Sequence, residues 1–361
     1  MGFFDRFYYG KAGKADYTEM DMPKTRIGLF FQVFKERFFD LIKVNFLQLI
    51  FWIPFLLWTV INISAIQVID TSAIAEGENV GAQLLSTVSG YVMIWLLGLI
   101  PCILITGPSS AGAAYLMRNW ARDQHTFLFS DFKDAFKSNW KQALGVSAIT
   151  CILPVVVYTA MMYYSQMANS NMLMFAPMVV VLSVALMWAL MLPLLYAMLI
   201  GYEMSFKVLL KNSFLMAAAS LPKMVAARLI TLIPVVVLVM GLFMANPIML
   251  LIGSVYYLMI GFALSKLIYA SFANCVFDQY LNPHIEGAVV RQGLRPIDVD
   301  ELYDDDEDDE EEALVEYPIG YFFGDEESDV YNITTVESQT KRQLFAQYPT
   351  KSVMEHCVVM D

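Results

Sequence analysis

Charge is scarce in this chain. Asp, Glu, Lys and Arg together make up 16% of the 361 residues, while 58% are hydrophobic. Soluble globular chains average about 25% charged and roughly 45–50% apolar. Histidine is scarcer still, with three copies, His125, His284 and His356, all outside the long apolar runs. No acid or histidine lies in the middle of an apolar run, so nothing is placed to serve as a proton relay, which weighs against proton-coupled transport. The four cysteines, Cys102, Cys151, Cys275 and Cys357, form no CxxC or Cys/His cluster, so neither a zinc site nor a redox pair is expected. The segment GPSSAG is not a G-x-S-x-G elbow, and with no histidine near it a serine or metal-dependent hydrolase is not expected. The N-terminus MGFFDRFYYG lacks the apolar core of a cleavable signal, and Arg6 departs from the myristoylation pattern. The net charge of −12 belongs to one block, the uninterrupted acidic run Asp304–Glu312, and says nothing about a substrate.

What the chain has instead is long apolar runs. About 20 apolar residues cross the roughly 30 Å of bilayer hydrocarbon. Six stretches meet that length: Val44–Ile66, Tyr91–Leu116, Ala143–Tyr164, Met174–Ile200, Val225–Ala245 and Ile248–Leu264, the last extending towards Phe277 if Lys266 snorkels. Asn246-Pro247 joins the fifth and sixth as a tight hairpin. Segments 67–90, 165–173 and 246–247 carry no Lys or Arg. The N-terminal arm, the 118–141 loop (Arg118, Arg122, Lys133, Lys137, Lys141) and the 201–228 loop (Lys207, Lys211, Lys223, Arg228) carry them at every turn. The positive-inside rule then predicts both termini in the cytoplasm. Three regions follow: an arm over 1–26, a six-span membrane domain over 27–285, and an acidic tail over 286–361 expected to be mostly disordered. The aromatic patch Tyr317, Tyr321, Phe322 and Phe323 in that tail is a candidate docking motif.

The stretch Pro101–Lys141 organises the rest. An apolar run broken by Pro101 and Pro108 leads into small residues from Gly107 to Ala114, then into a basic, aromatic segment that reads as a helix on the membrane surface. Gly107, Pro108 and Gly112 are candidates for close helix packing, since small residues let helices approach in lipid. The stripe Phe132-Phe136-Trp140, with Lys137 and Asn139, is a candidate interfacial or partner-docking face, lipid being the simpler occupant. The same i, i+4, i+8 stripe occurs as Phe38-Ile42-Phe46 and Phe206-Leu210-Phe214, each with Lys after its middle member, Lys43, Lys137 and Lys211. Asn45, Asn139 or Ser213 precedes the last member, and Gln48 and Gln142 recur in the first two copies. The pattern predicts three hairpins, each entered through a cytoplasmic amphipathic helix. Over Gly28–Lys43 the periodicity predicts such a helix, and Ser130 or Asp131 is placed to cap the second.

Glu203 and Lys266, near the ends of the fourth and sixth spans, are a candidate intramembrane pair. Pro54, Pro101, Pro154, Pro193 and Pro234 read first as packing kinks and second as breaks around a cavity. A solute site would have to draw on hydroxyls and aromatics such as Ser147, Thr150, Tyr158, Tyr163 and Tyr164. The basic residues flank spans, so nucleic acid is not an expected partner.

The segment TGPSSAGAAYLMRNWARDQHTFLFSDFKDAFKSNWKQ resembles the YesL family of bacterial integral membrane proteins of unknown function. The shared features are Pro101 separated by four residues from Thr106-Gly107, the basic stretch Arg118–Arg122, and the aromatic segment Phe132–Gln142. The resemblance implies a multi-pass protein of a bacterial cell membrane, often associated with carbohydrate uptake, and supplies no catalytic residue. The resulting expectation is an all-α membrane protein, not an enzyme and without cofactor or metal, acting as an accessory or scaffold to a transport system, with transporter subunits and the lipid bilayer as partners. The alternative is a transporter or channel for a small solute, which would need a polar cavity among the proline-broken spans.

Overall fold

The computed structural model describes residues 22–67, 80–285 and 288–296. The acidic run Asp304–Glu312, the Tyr317–Phe323 patch, most of the N-terminal arm and much of the 67–90 segment lie outside them. Every regular element described is helical: α1 (Arg26–Glu36), α2 (Phe38–Gln67), α3 (Val80–Leu104), α4 (Thr106–Trp120), α5 (Leu128–Ala168), α6 (Phe175–Gly201), α7 (Phe206–Ala219), α8 (Leu221–Phe243), α9 (Pro247–Tyr256) and α10 (Phe262–Tyr280), with a π-helical turn at Tyr257–Gly261 between the last two. Six segments are long and apolar enough to cross a membrane: Phe38–Ile66, Gln83–Leu104, Leu128–Ala168, Met172–Gly201, Leu221–Phe243 and Pro247–Tyr280. Along them large apolar side chains stand exposed, among them Leu57, Val180, Leu186, Ile233 and Leu251. A belt of that extent is stable only against hydrocarbon.

The centre of the fold is α4, not a span. Every residue of this helix except Ala114 and Tyr115 is buried. It packs against α2, α3, α5, α6 and α10. Its small residues make that possible. A Cβ on Gly107 would stand 2.6 Å from the Ala143 carbonyl oxygen and collide with the Ser147 hydroxyl; one on Gly112 would stand 2.9 Å from the Phe132 carbonyl oxygen. Pro108 sits in the first turn of α4, where its missing N–H costs no helical hydrogen bond.

Here the structure corrects the sequence reading. The second span ends at Leu104, not Leu116: Pro108 has no N–H for the Leu104 carbonyl, which accepts from Ser147 Oγ instead, and a new helix, α4, starts at Thr106. Arg118 and Arg122, expected on a surface helix, are buried. The Arg118 guanidinium stacks over the Tyr202 ring at 5.5 Å. Tyr202 donates to Asn282 Oδ1 at 2.5 Å, Asn282 to Asp278 at 2.8 Å, and Asp278 pairs with Arg26 at 2.5 Å. Burial pushes the Tyr202 phenol above its ordinary pKa, with the neighbouring Arg118 opposing it.

The amphipathic entry segments also differ from expectation. The first and second stripes are not separate helices: each is the opening of the span it precedes, in α2 and in the 41-residue α5. Only the third, α7, stands alone, ended before Pro222 by Ser220. The predicted helix over Gly28–Lys43 breaks at Arg37. Its first part, α1, is capped by the Thr25 hydroxyl and buries Leu29 and Val33, so it is packed into the protein rather than lying free on a surface. Asp131, not Ser130, caps α5, accepting from the Phe127 amide at 2.8 Å. The packed domain also runs past residue 285. Leu294 is buried, Arg26 donates to the Gln292 carbonyl at 2.8 Å, and Gly293 takes φ +80 where a Cβ would meet the Arg122 backbone at 2.7 Å.

Candidate functional site

A cavity of about 270 Å³ lies inside the bundle, between α2, α4, α5, α6, α8 and α10. That is at the small end of the roughly 300–1,000 Å³ that hold drug-sized ligands. Each wall traces to a local feature of the sequence. Small residues in α4 and α10, Ala114 and Ala270, leave the space. Pro193 of α6 borders it, and a proline has no N–H for the carbonyl one turn back, that of Ala189. Arg228 of α8 takes over that freed oxygen through Nη2. Its Nη1 donates to the Tyr269 hydroxyl at 2.8 Å, and the guanidinium lies 5.0 Å from the Tyr269 ring centre. Thr231 Oγ1 is 2.6 Å from the same hydroxyl. Arg228 Nε remains buried without a hydrogen-bond partner, as does the indole N–H of Trp52.

Lys266 enters from α10 and places Nζ 5.7 Å from the centre of the Tyr196 ring. Tyr196 in turn bonds Ser110 of α4. The hydroxyls of Ser147 and Thr150 face the same space from α5. Ser147 Oγ lies 3.1 Å from Leu104 O, tying α5 to the last turn of α3, and Trp188 donates to Thr150 at 3.1 Å.

The π-turn beside the cavity has its own support. Asn45, fully buried on α2, donates to Tyr257 O at 3.0 Å and Leu258 O at 2.8 Å, and accepts from the amides of Phe262 at 2.9 Å and Ala263 at 3.2 Å. A break in a membrane helix leaves backbone groups that lipid cannot satisfy; one side chain closes this one. The next residues, Phe262, Ser265 and Lys266, are cavity wall.

Several predicted residues land elsewhere. Glu203 and Lys266 are not brought together: Glu203 is exposed on the turn after α6, while Lys266 is directed over Tyr196. Of the aromatic face, Phe132 is buried against Gly112, and Phe136 packs on Phe51 with ring centres 5.8 Å apart. Lys137 and Trp140 face outward, and Asn139 turns back to Ala135 O at 3.1 Å. Tyr158 bonds Ser89 O at 3.1 Å, and Tyr163 and Tyr164 meet edge to face with ring centres 5.4 Å apart, neither of them lining the cavity. Gln48 and Gln142 both donate to backbone carbonyls in the connections towards the next copy, Ser109 O at 2.7 Å and Met204 O at 3.0 Å. Arg228, Tyr196, Tyr269 and Trp52 were not singled out from the sequence. The signal available was the i, i+3 pair Lys266–Tyr269 and the four-residue spacing of Ala189 from Pro193.

These features define a class: an all-helical protein with six segments fit to cross a membrane and a cation-bearing cavity among them. Residues 88–161 match a family described as a protein of unknown function, DUF624. The matched stretch runs from α3 to α5 and includes all of α4. No curated protein and no solved structure matches the chain.

Proposed function

We propose that the chain is a multi-pass protein of the cell membrane, of YesL type, with both termini in the cytoplasm, and that it binds a small solute in the cavity and moves it across the bilayer. The observation that carries this reading is the cavity: polar side chains from five of the helices around it converge where the spans would otherwise be sealed by apolar packing. Two helix irregularities border it, Pro193 in α6 and the π-turn before α10. Broken spans beside a polar cavity are how transporters build solute sites. The test is to extract bound small molecules from protein purified out of native membranes and compare Ala114→Phe, which fills the cavity from α4. A solute released by the parent and lost from a variant of unchanged melting temperature supports the reading. The same small-molecule profile from both sinks it.

A second reading, an accessory to a carbohydrate transport system, has support in the outward face formed by Lys137 and Trp140. Crosslinking in native membranes would then recover transporter subunits, and Trp140→Ala would lose them.

A further inference from the structure

Building on the solute-binding reading, we propose that the cavity takes a small organic anion, its carboxylate held between Arg228 and Lys266 and a flat apolar body against Trp52 and Phe262. Arg228 is charged at any physiological pH. Among the described residues no carboxylate pairs with it or with Lys266, whereas Arg26 has its own acid in Asp278. Arg228 and Lys266 are both partly buried, and a charge taken out of water without a counter-charge is costly unless something of opposite sign arrives.

The two cations meet the same small space. Tyr269, held by Arg228, lies one turn beyond Lys266 on the same face of α10. Arg228 commits one N–H of Nη1 to Tyr269 and one of Nη2 to Ala189 O, so the guanidinium keeps further N–H donors. Lys266 contributes an ammonium whose one partner among the described residues is a ring face. A guanidinium and an ammonium bordering one small space suit the two oxygens of a carboxylate. The remaining wall is flat and apolar: Trp52 and Phe262 stack at 5.2 Å with their planes 21° apart. The volume has room for a body of at least one ring.

The test is calorimetric titration of the purified full chain with benzoate, benzyl alcohol and benzylamine, which share a ring and differ in charge. Benzoate should bind at least tenfold more tightly than benzyl alcohol, and benzylamine should give no heat. Arg228→Gln should weaken benzoate at least tenfold and leave benzyl alcohol unchanged; Lys266→Gln is the parallel variant should the first fail to fold. Equal binding of benzoate and benzyl alcohol, or benzoate binding that survives both substitutions, overturns the anion assignment and leaves the solute reading standing. No benzoate binding also overturns the assignment, while the solute reading is decided separately by the Ala114→Phe comparison.

Discussion

Gly107 shows how little room the residue scale allows. Its Cα approaches α5 so closely that a methyl group would enter the Ala143 carbonyl and the Ser147 hydroxyl together. The first is backbone and cannot step aside. Gly107→Ala should therefore destabilise the protein by about 1–3 kcal/mol through overpacking. Gly81, in α3, has nothing within 4 Å of where its Cβ would be. There the same change should be neutral or gain up to about 1 kcal/mol from helix propensity. Melting temperatures of the two variants in one detergent check this, and equal melting would remove the close crossing from the account. Arg228 makes the complementary point. Its position reads naturally as one more basic residue marking the inner side, and only the backbone oxygen freed by Pro193 explains why it turns inward.

At the scale of elements, the break in the last span rests on one side chain. Asn45→Leu is close in size and removes all four hydrogen bonds to the π-turn. Leaving buried backbone groups unpaired costs roughly 1–3 kcal/mol apiece, offset where the turn rewinds to an α-helix. The variant should melt lower, and the Phe262 and Ala263 amides should exchange faster with deuterium. Asn45→Asp sets a carboxylate oxygen against the Tyr257 and Leu258 carbonyls in a fully buried place, so it should melt at least as low. Unchanged exchange in Asn45→Leu would mean the turn is held by something else. This level also shows what was legible in the sequence. Hydropathy revealed six spans, and small residues marked Gly107 and Gly112 for close packing, though within the second span rather than in a helix of their own. What they missed was rotation. A span that is apolar all round, such as α6, gives no sign of which face points inward. Tyr196 of α6, Arg228 of α8 and Lys266 of α10 thus met only in three dimensions, whereas Ser147 and Thr150 stood out as hydroxyls within a single run. The Glu203–Lys266 pairing failed too: Glu203 lies exposed on the turn after α6, while α10 directs Lys266 inward over Tyr196.

For the whole molecule, the prediction concerns sidedness. Lys137 lies in the first third of α5 and Ser170 just beyond its C-terminal end, and both are exposed. With Cys275→Ser and Cys357→Ser as background, Ser170→Cys should react with an impermeant maleimide added to intact cells. Lys137→Cys should react only after the cells are opened. The reverse pattern would invert the topology and place the Arg- and Lys-rich end outside.

Helix α5 carries one more consequence. Its 41 residues form a rod of about 60 Å, some twice the hydrocarbon thickness, so its first turns stand clear of the bilayer while its middle lines the cavity. Lys137 and Trp140 occupy the outer length, and Ser147 and Thr150 the inner, with Pro154 only beyond both. No joint interrupts the rod between them. A protein that leaned on the outer end would work it as a lever, with α4 as the fulcrum at Gly107 and Gly112, and the load would arrive at the cavity wall.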